Sequence, residues 1–363
     1  MKIANIILTS VNGGAEQVFI DYINIFNQLN HHNFAIVKQD APYGNVAEKL
    51  CSKTLKITNN FGYYDLLAIN KIKNFLLEND VDYVFAHAGR SIALAVKAIA
   101  KISNKKILLV AINHSNNVKR SIKADLVISV NKKIFYKTVD LGRTPHNSFV
   151  VHNALDLSNI QEIKSIIDLE NKSEINLGVI GRFHKIKGFD QAIKTLKFIY
   201  DPQNKNLFSD KLLSKKINLI IAGIGEEENS LRKLVEEYRL ENNVKFLGWV
   251  DQSEFFNKID IFLQTSNIES FGLVTLEAMK YKKPIICTNT DGSKEIIRNE
   301  IDGLKVNIEE SKELSEQFSL KIDRLVSDNN FTNILVNSSY KRLQEKFSYN
   351  NLKNILLEIV GKG

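Results

Sequence analysis

Short apolar runs alternate with amphipathic stretches along the whole chain. Between positions 15 and 29, for example, Val18, Tyr22 and Phe26 recur at the spacing of one helix face, which predicts a helix with one buried side. The intervening apolar runs have the length of buried strands. Strands are predicted at 2–8, 33–37, 83–86, 107–112, 126–130 and 148–151 in the first half and at 175–180, 217–222, 244–246, 259–264 and 284–287 in the second, with further helices at 189–199, 229–238, 312–346 and 347–360.

This alternation predicts an α/β protein with parallel sheets covered on both faces. The 363 residues suffice for two domains, so we expect two doubly wound, Rossmann-like domains, one formed by 1–155 and one by 156–346. The boundary is placed near 154–165, and the polar segment 201–216 is interpreted as a surface insertion. Ligands of such sheets bind at the carboxyl ends of the strands. A cleft between two facing domains is therefore expected, lined by loops that follow strands.

The composition is that of an ordinary globular protein, with 44% hydrophobic and 25% charged residues. No apolar run approaches the roughly 18 residues of a membrane span. The apolar start runs into Gly13-Gly14 without a cleavage-like site, so we interpret it as a core strand rather than a signal peptide. Cys51 and Cys287 fall in different halves, which argues against a disulfide framework and for a reducing, cytoplasmic location.

The net charge of +8 is unevenly distributed. Residues 1–155 contain 19 Lys and Arg against 10 Asp and Glu, a net charge of +9, whereas residues 156–363 contain 30 against 31. A one-sided basic surface attracts lipid headgroups, phosphates or nucleic acid; a solvated surface without a partner is the alternative. No recognition motif or aromatic stacking pattern accompanies the charge, so nucleic-acid binding is not predicted.

The first motif, Asn12-Gly13-Gly14-Ala15-Glu16, directly follows the first predicted strand. Glycine there lets the backbone approach a ligand, and the next helix presents free N–H groups to an anion. A tight strand-to-helix turn is the alternative. Because the G-x-G-x-x-G spacing is missing, the motif does not predict an NAD site.

The second motif, GRFHKIKG at 181–188, follows the strand that opens the second half. The guanidinium fork of Arg182 and the point charge of Lys187 suit a diphosphate whose charge grows as its bond to a sugar breaks. Two such cations can do the neutralising work of a divalent metal. A solvated basic loop is the alternative.

The third motif, ESFGLVTLE at 269–277, places two carboxylates eight residues apart after the strand at 259–264. Gly272 marks a close backbone approach, and a helix is predicted to start near it. Glu269 would then lie in the loop, where it can accept hydrogen bonds from sugar hydroxyls, and the first-turn amides would face a diphosphate. Glu277, more than a turn into the helix, can bind both hydroxyls of a ribose. A capped helix with an ordinary acidic face is the alternative.

The third motif resembles the E-x7-E signature of the large retaining glycosyltransferase family 4, which has the GT-B fold. The similarity extends over nearly the whole chain in a fixed order of motifs. The other segments that resemble family motifs are 13–16 (GGAE), 181–188 (G-R-x4-K-G), 221–225 (IAGIG), 246–250 (FLGWV), the run from 284 to 304 with PIICT, Gly292, Glu295 and DGL, and 347–349 (FSY) before a closing helix. The resemblance implies that this closing helix returns to the first domain, which would then comprise 1–155 together with 347–363.

The resemblance implies a role for each matching residue. Arg182 and Lys187 would hold the diphosphate, Glu277 the ribose, and Glu269 the donor sugar, whereas His114 in the first domain would lie near the transferred sugar. The catalytic residues implied are Glu269, Arg182, Lys187 and His114, and the nucleotide-sugar-binding residues are Gly14, Arg182, Lys187, Gly225, Val250, Glu269, Phe271, Gly272, Leu273 and Glu277.

Some positions depart from the family pattern or compete with it. His114 is followed by Ser115-Asn116 instead of the acidic residue often found there, and 152–156 reads HNALD where the family usually has PNGVD. His87, after the strand at 83–86, is a weaker candidate, and a structural histidine is the alternative for both histidines. Asp80-Val81-Asp82 mimics a metal-binding D-x-D but precedes its strand, so no bound metal is predicted.

These features together predict a metal-independent hexosyltransferase. It would transfer a sugar, with retention, from a nucleotide-diphosphate sugar, UDP-sugar favoured, to a glycan or lipid-linked acceptor in lipopolysaccharide or other envelope-polysaccharide synthesis. No cofactor beyond the donor substrate is expected. The basic first half favours a cytoplasmic protein peripheral to an anionic membrane surface. The alternatives are a sugar-nucleotide epimerase of the same fold and a catalytically silent nucleotide-sugar-binding protein.

Overall fold

A computed structural model describes residues 1–10, 13–58, 60–158, 167–309 and 313–361. Its contacts divide the chain into two compact units. The first unit comprises Met1–Leu155 and Phe347–Gly363, and the second comprises Asp156–Lys346. Each unit is described by itself.

The first unit contains a seven-stranded, wholly parallel sheet in the order β3-β2-β1-β4-β5-β6-β7. Its central strands are buried on both faces, as their apolar sequences require. The strands are β1 Lys2–Ile7, β2 His32–Lys38, β3 Lys53–Ile57, β4 Tyr83–His87, β5 Leu108–Asn113, β6 Leu126–Ser129 and β7 Ser148–Val150, and the helices between them are α1 Gly14–Gln28, α2 Gly44–Leu50, α3 Leu66–Glu78, α4 Ala88–Ile99 and α5 Lys132–Asp140.

The C-terminal helix, Tyr349–Gly361, packs against this first unit, as predicted. The Tyr349 hydroxyl donates to Asp21 Oδ1 at 2.5 Å, and the Tyr83 hydroxyl donates to the carbonyl oxygen of Val360 at 2.8 Å. A bridge between Leu155 and Ser348 joins the start of this segment to the end of the first unit. The last part of the chain therefore completes the first unit rather than the second.

The second unit contains a six-stranded parallel sheet in the order β10-β9-β8-β11-β12-β13. Strand order reverses between β8 and β11, as it does between β1 and β4 in the first unit, and such switch points are where doubly wound sheets bind ligands. The strands are β8 Glu174–Ile180, β9 Lys216–Ala222, β10 Val244–Gly248, β11 Ile261–Gln264, β12 Ile285–Thr288 and β13 Leu304–Val306, and the helices are α6 Phe189–Tyr200, α7 Asp210–Leu213, α8 Glu228–Glu237, α9 Gln252–Lys258, α10 Leu273–Lys280, α11 Asp291–Ile296, α12 Leu314–Ser327 and α13 Asn329–Lys346.

The predicted surface insertion at 201–216 is partly wrong. It contains a 3₁₀ turn at Pro202–Leu207 and the short helix α7. Phe208 and Leu212 from this segment are buried in the core of the second unit, so the segment contributes to packing. Residues 159–165 of the predicted boundary, and position 312 at the start of a predicted helix, lie outside the described residues.

Among the described residues, every helix is too short or too polar to cross a membrane.

Candidate functional site

The loops that follow β8 and β11 are bonded to each other at the switch point of the second sheet. After β8, Arg182 is followed by a single 3₁₀ turn, Lys185–Lys187. The Thr265 hydroxyl donates to the carbonyl oxygen of Lys187 at 3.0 Å, and the Asn267 amide donates to that of Ile186 at 2.8 Å. These bonds fix the backbone from which the Lys187 side chain projects.

Lys187 and Glu269 form an ion pair at this switch point. Lys187 Nζ lies 2.5 Å from Glu269 Oε2, with 30% and 17% of the two side chains exposed. The amide of Gly292, in α11, donates to the carbonyl oxygen of Glu269 at 2.8 Å. The loops after β8 and β11 and the first turn of α11 thus hold a half-buried cation and carboxylate together. A charged ligand at this position would compete with Glu269 for Lys187, or with Lys187 for Glu269.

Gly272 shapes the turn between Glu269 and α10. Its φ of 103° lies in a region that glycine tolerates and other residues rarely adopt. A Cβ there would stand 2.8 Å from Gln264 Nε2 and 3.3 Å from Glu269 Cγ. Helix α10 begins at the next residue, Leu273, and its first N–H groups have no partner within the helix and carry its positive dipole end. The positive dipole end of α10, which favours anions, therefore lies beside the ion pair.

Glu277 lies in the second turn of α10 and is 7% exposed. With its amide nitrogen turned toward the carboxylate, Gln252 of α9 donates to both Glu277 oxygens at 2.9 and 3.2 Å. Burial raises the pKa of the Glu277 carboxyl, and nearby Lys280 opposes this effect. Sequence reasoning missed Gln252, because nothing in the chain order indicates that α9 reaches α10.

The loops after β8, β9 and β10 are also bonded side by side. The Phe183 amide donates to the carbonyl oxygen of Ile224 at 2.9 Å, and the Gly223 amide donates to that of Gly248 at 2.7 Å. Arg182 is exposed within this group of loops. The structure thus places all predicted site residues of the second unit in the loops that follow its strands or in the first two turns of α10: Arg182, Lys187, Gly225, Val250, Glu269, Phe271, Gly272, Leu273 and Glu277.

The two remaining predicted residues, Gly14 and His114, belong to the first unit. Gly14 is the first residue of α1, directly after β1 and the cap residue Gly13; Asn12 of the same motif lies outside the described residues. His114 follows β5. Both therefore lie at carboxyl ends of strands in the first sheet.

His114 is paired with His87, the last residue of the neighbouring strand β4. The rings are stacked at an interplanar angle of 14°, with His87 Nδ1 3.1 Å from His114 Nε2. The His87 ring also has aromatic neighbours, because Phe19 and Tyr22 of α1 pack edge-on against it. Burial lowers the pKa of His114 to about 4, and burial together with His114 lowers the pKa of His87 well below its usual value.

Both imidazoles are therefore expected to stay neutral between pH 8 and 5. In ¹H–¹⁵N spectra neither ring should titrate in this range, whereas free histidine in the same tube titrates near 6.5. Because the folded-state pKa values are depressed, unfolded chains take up protons first as the pH falls below about 6.5, and the free energy of unfolding of the first unit should decrease toward pH 4. In His114→Gln the His87 ring should remain neutral, since burial is the main cause of its low pKa. A midpoint near 6.5 for either ring would contradict this account.

The D-x-D sequence at 80–82 lies directly before β4, at the end of the sheet where ligands are not expected. Asp80 and Asp82 precede β4, and both pair with Lys105, at 2.6 and 3.1 Å. Within the described parts of the chain, no group of three or more His, Cys, Asp or Glu side chains could hold a metal ion.

Known glycosyltransferases are similar to this chain in sequence and in fold. The lipopolysaccharide core biosynthesis glycosyltransferase LpsE of Rhizobium meliloti is 23% identical over 96% of this chain and 96% of its own length, and the O-antigen biosynthesis glycosyltransferase WclY of Escherichia coli is 24% identical over 80% of each chain. The crystal structure of Anabaena HepE in complex with UDP and glucose superposes over the full length of both chains with a TM-score of 0.80 at 20% identity, which shows the GT-B fold. Residues 160–361, more than half of the chain, match the family described as Glycosyl transferases group 1, and the chain therefore belongs to that family.

Proposed function

We propose that this chain is a retaining, metal-independent glycosyltransferase of family 4 that transfers a sugar from a UDP-sugar to a glycan or glycolipid acceptor of the bacterial envelope. The single observation that carries the proposal is the Lys187–Glu269 pair beside the start of α10. Crystal structures of HepE with UDP and with UDP-glucose favour a uridine donor, and the names of LpsE and WclY favour an envelope-glycan acceptor.

In the proposed donor complex, the diphosphate replaces Glu269 as the ion-pair partner of Lys187. The cation then faces the phosphates together with Arg182 and the first amides of α10, where it stabilises the negative charge that grows as the glycosidic bond breaks. Glu269, released from its partner, accepts hydrogen bonds from sugar hydroxyls. The ion pair in the free protein thus keeps both groups in place for two different parts of one ligand.

Retention follows from a same-face route. The acceptor hydroxyl attacks from the side that the diphosphate leaves, and a leaving-phosphate oxygen takes its proton. We assign the acceptor to the basic first unit. There His114 serves as a neutral hydrogen-bonding group toward the transferred sugar, because its low pKa keeps it from acting as a cation at neutral pH.

Glu277→Gln is expected to weaken UDP binding by about 10- to 100-fold, since hydrogen bonds to a charged group contribute roughly 1.5–3 kcal/mol. Without UDP, the variant should be at least as stable as the parent at pH 7.5. The folded-state pKa of Glu277 is raised, so its ionisation costs stability as the pH rises above the unfolded value of about 4.3. Thermal unfolding with and without UDP, at pH 7.5 and pH 4, measures both effects.

Glu236→Gln on the exposed face of α8 is the matched control and should change neither quantity. UDP should raise the unfolding temperature more than GDP. Unchanged UDP binding by Glu277→Gln would remove the ribose assignment. The anomeric configuration of the transferred sugar, read by NMR, tests retention, and an epimer formed from donor without acceptor would favour the epimerase alternative.

A further inference from the structure

Four large apolar side chains are exposed within seven residues of the first unit. Phe61, Tyr64, Leu66 and Leu67 are between 64% and 76% exposed, and we call them the apolar loop. They follow β3: Phe61 precedes the 3₁₀ turn Gly62–Tyr64, Tyr64 ends that turn, and Leu66 and Leu67 begin α3. Single exposed apolar residues are ordinary, but contiguous ones mark interaction surfaces.

The apolar loop is held in place by one buried carboxylate. Asp65 is 3% exposed and accepts hydrogen bonds from the amides of Asn60, Phe61 and Ala68 at 3.0, 3.3 and 2.9 Å. The last of these caps α3, and the first two fix the turn before it. The loop is therefore a built structure that presents apolar side chains to solvent.

Cations lie beside the apolar loop, next to Tyr64 and the neighbouring Tyr63. Lys97 Nζ lies 3.8 Å from the centre of the Tyr64 ring, and the Arg120 guanidinium lies 4.7 Å from that of Tyr63. Together with Lys119 and Lys123 they line a cavity of about 260 Å³ beside the loop, and we call these four cations the basic rim. Among the residues that the structure describes, no acidic side chain lines this cavity, and the carboxylate of nearby Asp65 accepts hydrogen bonds from backbone amides.

We propose that the apolar loop and the basic rim form a docking surface for a bilayer that contains anionic phospholipids. Aromatic and leucine side chains flanked by Lys and Arg match the boundary between acyl chains and charged headgroups. A symmetric contact with a second copy would bring the basic rims near one another, which like charges disfavour. A small soluble anion would use the rim but leave the apolar loop in water.

Binding of vesicles to this surface is independent of the proposed sugar transfer, because it requires neither donor nor acceptor. The apolar loop and the basic rim would be the place where the chain meets a lipid-linked acceptor. A protein that binds vesicles but fails to transfer sugar, or the reverse, separates the two proposals.

Flotation with phosphatidylcholine vesicles, with and without 30% phosphatidylglycerol, tests the surface. We expect binding to the anionic vesicles alone, lost in 0.5 M salt as screening shortens the range of the charges. Leu66→Ser/Leu67→Ser should lower the partition coefficient at least about tenfold, since membrane binding scales with the buried apolar area. Ile334→Ser, at a position 57% exposed on α13, is the matched apolar control and should bind like the parent.

Lys119→Glu/Lys123→Glu should abolish binding to anionic vesicles. Lys205→Glu/Lys341→Glu in the second unit makes the same change of charge and should retain most of the vesicle binding. In Tyr64→Trp, brominated lipids should quench the added fluorescence. Equal binding to neutral and anionic vesicles, equal losses in both charge variants, or absence of quenching would each overturn the proposal. A change in oligomeric state of Leu66→Ser/Leu67→Ser, with vesicle binding unchanged, would reassign the surface to self-association.

Discussion

Lys187→Ala is expected to lower the turnover number about 100- to 1,000-fold, measured as UDP release at saturating UDP-sugar. The Lys187 ammonium is held 2.5 Å from Glu269 and beside the start of α10, so in the proposed complex it only has to exchange Glu269 for the diphosphate. Removing a preorganised group of this kind typically costs two to three orders of magnitude in rate. The loss should fall mainly on the turnover number, because the charge on the leaving diphosphate is larger in the transition state than in the bound donor.

Lys185→Ala is the matched control, since Lys185 belongs to the same 3₁₀ turn but is exposed. It should leave the turnover number within about a factor of two, as is usual for surface changes. The free energy of unfolding of Lys187→Ala should fall by no more than about 1 kcal/mol, because a partly exposed ion pair contributes little. Full activity of the folded variant would rule out Lys187 as a diphosphate ligand.

The sequence predicts most strands to within one residue of their observed bounds. β1, β4, β8 and β9 are among them, and their sequences are mostly apolar because helices cover both faces of their sheets. Two strands were missed. β3 is an edge strand with lysines at positions 53 and 56 and a single buried residue, Ile57, and β13 has only three residues, so neither shows the pattern of a buried strand.

Placement of the site residues at strand ends follows from chain order alone, but their pairing does not. Lys187 and Glu269 are 82 residues apart, and their contact depends on how the loops after β8 and β11 are bonded. The contact between Gln252 and Glu277 depends in the same way on the packing of α9. The His87–His114 pair could have been suspected, because both residues end or follow neighbouring parallel strands; the stacking of their rings could not.

Gly223→Ala is expected to destabilise the second unit by about 3 kcal/mol or more. Gly223 has a φ of 131°, a value that alanine rarely adopts. Its added Cβ would lie 1.9 Å from the carbonyl oxygen of Gly181 and 3.1 Å from the buried Phe183 ring. Strain and overlap therefore act together. Hydrogen exchange, measured peptide by peptide, should show faster exchange in β8 and β9 than in the parent, with little change in the first unit.

Gly248→Ala separates the two causes. Gly248 also has a positive φ, 68°, but no atom lies within 4 Å of its added Cβ, so only the backbone strain of about 1–2 kcal/mol applies. The remainder in Gly223→Ala comes from the contact with Gly181. Relief of that contact must move the carbonyl that precedes Arg182, so Gly223→Ala should also lose UDP affinity under conditions where it remains folded. Equal effects of the two substitutions on the free energy of unfolding would show that the loops after β8 and β9 can separate freely.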